Sequence, residues 1–139
     1  MVRHRLGVLD TSAVLRLHEL EVEDLPEGCV ITTITQAELA VGPLLTDDDV
    51  ERAARLAHVQ AAEADYGDPL SFDVQAARAL AQVAVDFRRS GRKPQARAFD
   101  ALIAATAKSR QLPRYTFNAE DFSGITGLEV VPLPPSGRA

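Results

Sequence analysis

Arg5-Leu6-Gly7-Val8-Leu9-Asp10-Thr11-Ser12-Ala13 is the stretch on which the fold turns. Its apolar run has the length of a buried strand, and it ends abruptly at an acid followed by two hydroxyl residues. Beyond it the apolar period changes: Val14, Leu17 and Leu20 recur at helical spacing, so the sequence predicts a helix over 13–20. A strand that runs straight into a helix is the opening of a β-α unit, and such units build parallel sheets because parallel neighbours need a crossover.

The rest of the chain repeats the alternation. Residues 21–28 are acidic and contain Pro26, which reads as a loop, and Cys29 to Thr33 is a second strand. Thr35 is expected to open a helix that runs to Val41, where Gly42-Pro43 stops it. A helix over 47–65 follows Thr46, and Gly67-Asp68-Pro69 breaks it. Leu70-Ser71-Phe72 reads as a short strand before a long helix over 73–89, which Gly91 ends. A basic loop with Pro94 leads to a helix over 99–110, and residues 113–117 and 128–131 are the last strands. The expected fold is α/β, one domain with a mainly parallel sheet of about five strands flanked by helices. Residues 1–132 form that domain, and 133–139, with Pro134, Pro135 and Gly137, form an irregular tail.

Composition agrees. A chain of 139 residues suffices for one domain, and 46% hydrophobic residues with few aromatics imply an aliphatic core. Cys29 is the lone cysteine, which removes any intramolecular disulfide or paired-cysteine metal site and leaves it as a small hydrophobe. No stretch has the apolar length of a membrane span, and Arg3-His4-Arg5 before a short apolar run does not read as a leader, so a cytoplasmic protein is expected. A net charge of −5 argues against binding nucleic acid by bulk attraction. Arg88, Arg89, Arg92, Lys93 and Arg97 nevertheless crowd one short segment. The first two suit the end of a helix through its dipole, which leaves Arg92, Lys93 and Arg97 as candidate RNA or partner contacts. His4, His18 and His58 show no paired spacing and receive no role.

In open α/β sheets, sites form beyond the carboxyl ends of the strands. Asp10 ends the first strand, Glu38 lies just after the second, Asp100 opens a late helix, and Asn118, Glu120 and Asp121 follow the next strand. Carboxylates drawn together repel unless a positive charge lies between them, and hard divalent cations with oxygen ligands supply it. Each acid also has a purely structural reading. Asp10 suits an N-cap, Thr35-x-x-Glu38 matches a capping box, Asp100 complements a helix dipole, and Asp121 suits a turn.

Together the segments are more specific. Val8-Leu9-Asp10-Thr11-Ser12-Ala13, Thr35-Gln36-Ala37-Glu38-Leu39, Phe99-Asp100-Ala101-Leu102-Ile103-Ala104-Ala105 and Thr116-Phe117-Asn118-Ala119-Glu120-Asp121-Phe122 occur in this order. The set resembles the PIN-domain ribonucleases, and within them the VapC-type toxins of toxin–antitoxin pairs. The resemblance spans essentially the whole chain. It implies an endoribonuclease dependent on Mg²⁺ or Mn²⁺, an RNA substrate, inhibition by a small VapB-like antitoxin, and a homodimer. Asp10, Glu38 and Asp100 match the family's main metal-site acids, Thr11 or Ser12 its hydroxyl after the first acid, and Thr116 its polar residue at the end of the fourth strand. The fourth acid is open between Asn118, where relatives often carry Asp, and Asp121. An Asn carries no charge, which puts a second ion in question. Pro113-Arg114-Tyr115 also departs from the usual aliphatic strand. On this reading Asp10→Asn or Asp100→Asn ends cleavage and leaves the fold intact.

Two other classes were weighed. A haloacid-dehalogenase-type phosphatase needs a second Asp where Ser12 stands, and a receiver domain needs an acidic pair that Leu9-Asp10-Thr11 lacks. A PIN-like module that has lost catalysis and acts only through a protein partner is the remaining alternative, kept open by Asn118.

Overall fold

The computed structural model describes residues 3–91 and 97–135. Four parallel strands form one sheet in the order β2-β1-β3-β4, with β1 at Leu6–Leu9, β2 at Gly28–Val30, β3 at Arg114–Thr116 and β4 at Val130–Pro132. Five helices surround it: α1 (Thr11–Leu15), α2 (Thr33–Val41), α3 (Asp49–Asp65), α4 (Val74–Arg89) and α5 (Ala98–Ser109). The expected α/β fold with a parallel sheet stands, but the strand count falls by one. Residues 70–72 supply only a single parallel bridge, Leu70 to Thr32. Pro69 precedes that bridge, and Asp73 already caps α4 through Ala76 N at 3.0 Å, so no room remains for a ladder.

Two helix boundaries also move. The first helix begins at Thr11, not residue 13, and ends at Leu15, the remainder to Glu19 winding as a short 3₁₀ turn. Asp10 causes the early start, because its side chain accepts from Ala13 N at 3.1 Å. The next helix starts at Thr33 because the Thr32 hydroxyl takes the amide of Thr35 at 3.2 Å. Thr35 is therefore inside α2 and not its cap, and the expected capping box with Glu38 does not form.

The register sorts side chains onto the two faces of the sheet. Val8 lies opposite Arg114 and Leu9 opposite Tyr115, so each pair shares a face. Leu9 and Tyr115 pack with Ala13, Val14, Ile31, Leu39 and Ala62. On the other face Val8 packs with Ile103 and Ala107 of α5. The alanines of α5 let α4 approach closely, where Val83 and Phe87 meet Ala101, Ala104, Ala105 and Phe122. Gly7 is required by close approach: a Cβ there would stand 2.6 Å from a ring carbon of Tyr115. The polypeptide leaves β1 in one direction to reach β2 and in the other to reach β3, so the crevice between the carboxyl ends of β1 and β3 is the switch point of the sheet.

Candidate active site

Asp10 leaves the carboxyl end of β1 and is only 3% exposed. Its Oδ1 accepts from Ser12 Oγ at 2.6 Å and from Ala13 N at 3.1 Å. Its Oδ2 accepts from Nη2 and Nε of Arg114 at 3.0 and 3.2 Å. Capping and charge pairing thus coincide in one carboxylate, and its roughly four acceptor positions are all engaged.

Arg114 is the residue that sequence reasoning missed. It stands at the amino end of β3 and is 1% exposed, the largest side chain that is fully buried. Its Nη1 donates to the backbone carbonyl of Asp100 at 2.9 Å, and Nη2 lies 3.4 Å from Asp100 Oδ1. The guanidinium also stacks 3.7 Å from the centre of the Phe122 ring. The signal was present as a charge inside a strand that otherwise reads as buried, and it was read as a departure from an aliphatic pattern.

Glu38 is half-buried on α2, one turn beyond the helix start. Thr11 Oγ1 donates to its Oε1 at 2.6 Å and lies 3.0 Å from Thr35 Oγ1. Burial pushes the Glu38 carboxyl above its ordinary value, the Thr11 hydroxyl opposes this, the negative charges of Asp100 and Asp10 add to it, and Arg114 counters them. That mutual influence places the three acids in one electrostatic cluster. Asp100, in the first turn of α5, joins it with its side chain 37% exposed, facing solvent where a substrate approaches.

Asp121 reaches the cluster through Arg97, whose Nη1 lies 3.0 Å from Asp121 Oδ2 and 3.7 Å from Asp100 Oδ2. Arg97 is thus paired with carboxylates. Arg92 and Lys93, the other two proposed RNA contacts, lie outside the described residues. Asn118 is exposed at the head of a short turn, and its backbone amide is held by Thr116 Oγ1 at 3.0 Å. Thr116 is buried and shapes that turn, while Ser12 Oγ accepts from Phe117 N at 3.3 Å and ties the same loop to β1. A groove lined by Thr11, Glu38, Arg55 and His58 continues from the acids along α3.

The donors are carboxylate and hydroxyl oxygens, the chemistry that hard divalent cations prefer. Among the described residues no three His, Cys, Asp or Glu side chains are grouped to cage an ion by themselves. Arg114 and Arg97 stand among the acids. What fits is the open mode of Mg²⁺, one or two carboxylates with water and a phosphate completing the shell, and Glu38 and Asp100 have the free oxygens for it.

Residues 7–128 match the PIN domain family. The chain is 36% identical over 130 residues to Ribonuclease VapC5 of Mycobacterium tuberculosis, covering 91% of this chain and 93% of that protein. It is 34% identical over 104 residues to Ribonuclease VapC8 of the same species, covering 74% and 91%. Among solved structures it matches a member of the VapBC family of toxin–antitoxin systems, VapBC-5 from Mycobacterium tuberculosis, with a TM-score of 0.80 and 34% identity over 93% of this chain and 99% of that one.

Proposed function

This chain belongs to the PIN domain family, among its VapC-type members, and from that premise we propose that it is a metal-dependent endoribonuclease, the toxin of a toxin–antitoxin pair. The observation that carries the chemistry is the convergence of Asp10, Glu38, Asp100 and Asp121 from four separated segments at the switch point of the sheet. In this reading Glu38 and Asp100 hold a Mg²⁺ or Mn²⁺ ion. The bound ion supplies an activated water and neutralises charge developing on the phosphodiester.

The chain's own residues arrange the rest. Thr11 orients Glu38 and Ser12 fixes Asp10. Arg114 keeps Asp10 and Asp100 from repelling one another. Arg97 holds Asp121 beside Asp100 and presents a cation at the rim, where RNA phosphates approach. Arg55 and His58 line the groove that would receive the flanking strand. Protein partners have a place to dock: Val41, Leu44, Leu45 and Val50 are exposed apolar side chains around the end of α2 and the start of α3. That surface supports a VapB-like antitoxin and a homodimer as partners, and action on RNA supports the cytoplasm as the compartment. No helix among the described residues is long and apolar enough to cross a membrane.

A second reading, a PIN-like module acting only through its protein partner, is favoured by the saturated Asp10 and by the uncharged Asn118. Cleavage of a total RNA pool by purified protein decides between them, run with Mg²⁺, Mn²⁺ or EDTA beside Glu38→Gln and Asp100→Asn. Discrete fragments that need the metal and vanish in both variants support the nuclease. Identical behaviour of wild type and variants leaves the partner-binding module.

A further inference from the structure

We infer that Arg114 is a resident cation of the active site, standing in the place of one metal ion, so that the protein works with a single divalent ion held by Glu38 and Asp100. The inference rests on the metal-dependent reading above and adds the number of ions and the residue that sets it. Three observations lead to it.

The guanidinium lies where the acids converge. It bonds both to the Asp10 carboxylate, at 3.0 and 3.2 Å, and to Asp100, at its carbonyl (2.9 Å) and its carboxylate (3.4 Å). Bridging two carboxylates from different elements is the work an ion does in an acidic cluster. The charge is also permanent, since a guanidinium stays protonated at any pH the fold survives.

Asp10 is fully committed. Ser12 Oγ, Ala13 N and two nitrogens of Arg114 engage both of its oxygens, so an ion on Asp10 would have to displace a donor. Displacement is opposed from behind, because the guanidinium is 1% exposed, stacked on Phe122 and bonded to backbone. It has no route to solvent that leaves its donors satisfied.

The remaining acids are arranged differently. Glu38 is half-buried and receives a neutral hydroxyl, and the Asp100 side chain is 37% exposed. These two keep oxygens available to an incoming ion. Asp121 is tied to Arg97, a second cation, at 3.0 Å, which leaves a further ion little uncompensated charge.

The test counts ions directly and needs no RNA. Mn²⁺ is titrated into wild type, Arg114→Met and Arg114→Lys, with bound ion counted from the loss of the free-ion electron paramagnetic resonance signal. Melting curves are recorded with and without Mn²⁺. Wild type is expected to bind one Mn²⁺ per chain and to gain little stability from it. Arg114→Met frees Asp10 and should bind Mn²⁺ about tenfold more tightly or take a second ion, and its melting temperature should rise more steeply with Mn²⁺. Arg114→Lys keeps the charge but not the fork and should fall between the two. Two ions on wild type, or equal number and affinity in wild type and Arg114→Met, overturns the inference. The wild-type count decides even where the Met variant fails to fold. Absence of Mn²⁺ binding in every form would overturn the metal-dependent reading as well, which separates the two failures.

Discussion

Asp10→Asn is expected to destabilise the protein strongly, which matters because it is an obvious first choice for a catalytically dead control. The substitution keeps the size of the side chain and replaces an acceptor-only group by one whose amide nitrogen donates. Oδ1 can still cap Ala13 N and accept from Ser12, but the other position now turns a donor, or at best a neutral oxygen, toward Arg114. The guanidinium loses its carboxylate partner in a site 1% exposed, so solvent cannot compensate it. Breaking one side of a buried pair costs about 3–5 kcal/mol. Asp100 offers partial relief at 3.4 Å, which puts the expectation near the lower figure. At this chain length a loss of that size lowers the melting temperature by about 10 °C. Urea denaturation of wild type, Asp10→Asn, Arg114→Met and the double variant measures it. The double variant should be more stable than the sum of the single losses predicts, since it leaves no buried charge unpaired. A loss below about 1 kcal/mol for Asp10→Asn, or strict additivity in the cycle, would refute the claim that these two residues hold each other. The expectation drawn from sequence, that Asp10→Asn leaves the fold intact, is therefore revised, and Glu38→Gln and Asp100→Asn are the cleaner probes of cleavage.

Thr11→Val removes the hydroxyl that holds Glu38 and should lower RNA cleavage about tenfold, with the urea midpoint little changed. Gly7→Ala drives a methyl into Tyr115 and should cost about 1–3 kcal/mol in thermal melting without altering Mn²⁺ binding. Asp86 supplies a pH test. Burial pushes its carboxyl up, but Thr126 N at 2.9 Å and Gln82 at 3.1 Å outweigh burial and leave it below the ordinary value. A carboxyl lowered in the folded state stabilises above its unfolded pKa of about 3.9 and loses that contribution as pH falls through the folded value. Wild type should therefore lose stability below about pH 4, and Asp86→Asn should show a flatter acid limb in melting curves recorded across that range.

The fold was legible because it depends on local patterns. Apolar runs of strand length alternated with helical spacing, and the breaks at Gly42-Pro43, Gly67-Asp68-Pro69 and Gly91 were visible as residue types. The helix starts were less legible, because Thr32, Thr33 and Thr35 are all competent caps and only the backbone path decides which hydroxyl meets which amide. The strand at 70–72 failed for a similar reason. Its residues suit a strand, but Asp73 closes α4 too soon for more than one bridge.

The acids of the site were readable from sequence, since each follows a strand or opens a helix where side chains gather in such a sheet. Their relations were not. That Thr11 reaches Glu38 across 27 residues, or that Arg97 joins Asp100 to Asp121, depends on how the elements pack. Arg114 shows the difference most sharply. In sequence it was a charge interrupting an aliphatic strand, yet the register that sets it opposite Val8 turns it onto the face where Asp10 waits two residues further on, 104 positions away in the chain. Periodicity reports which residues share a face of one element. Which faces meet is decided by packing all the elements at once, and the charge balance of the site follows from that step alone.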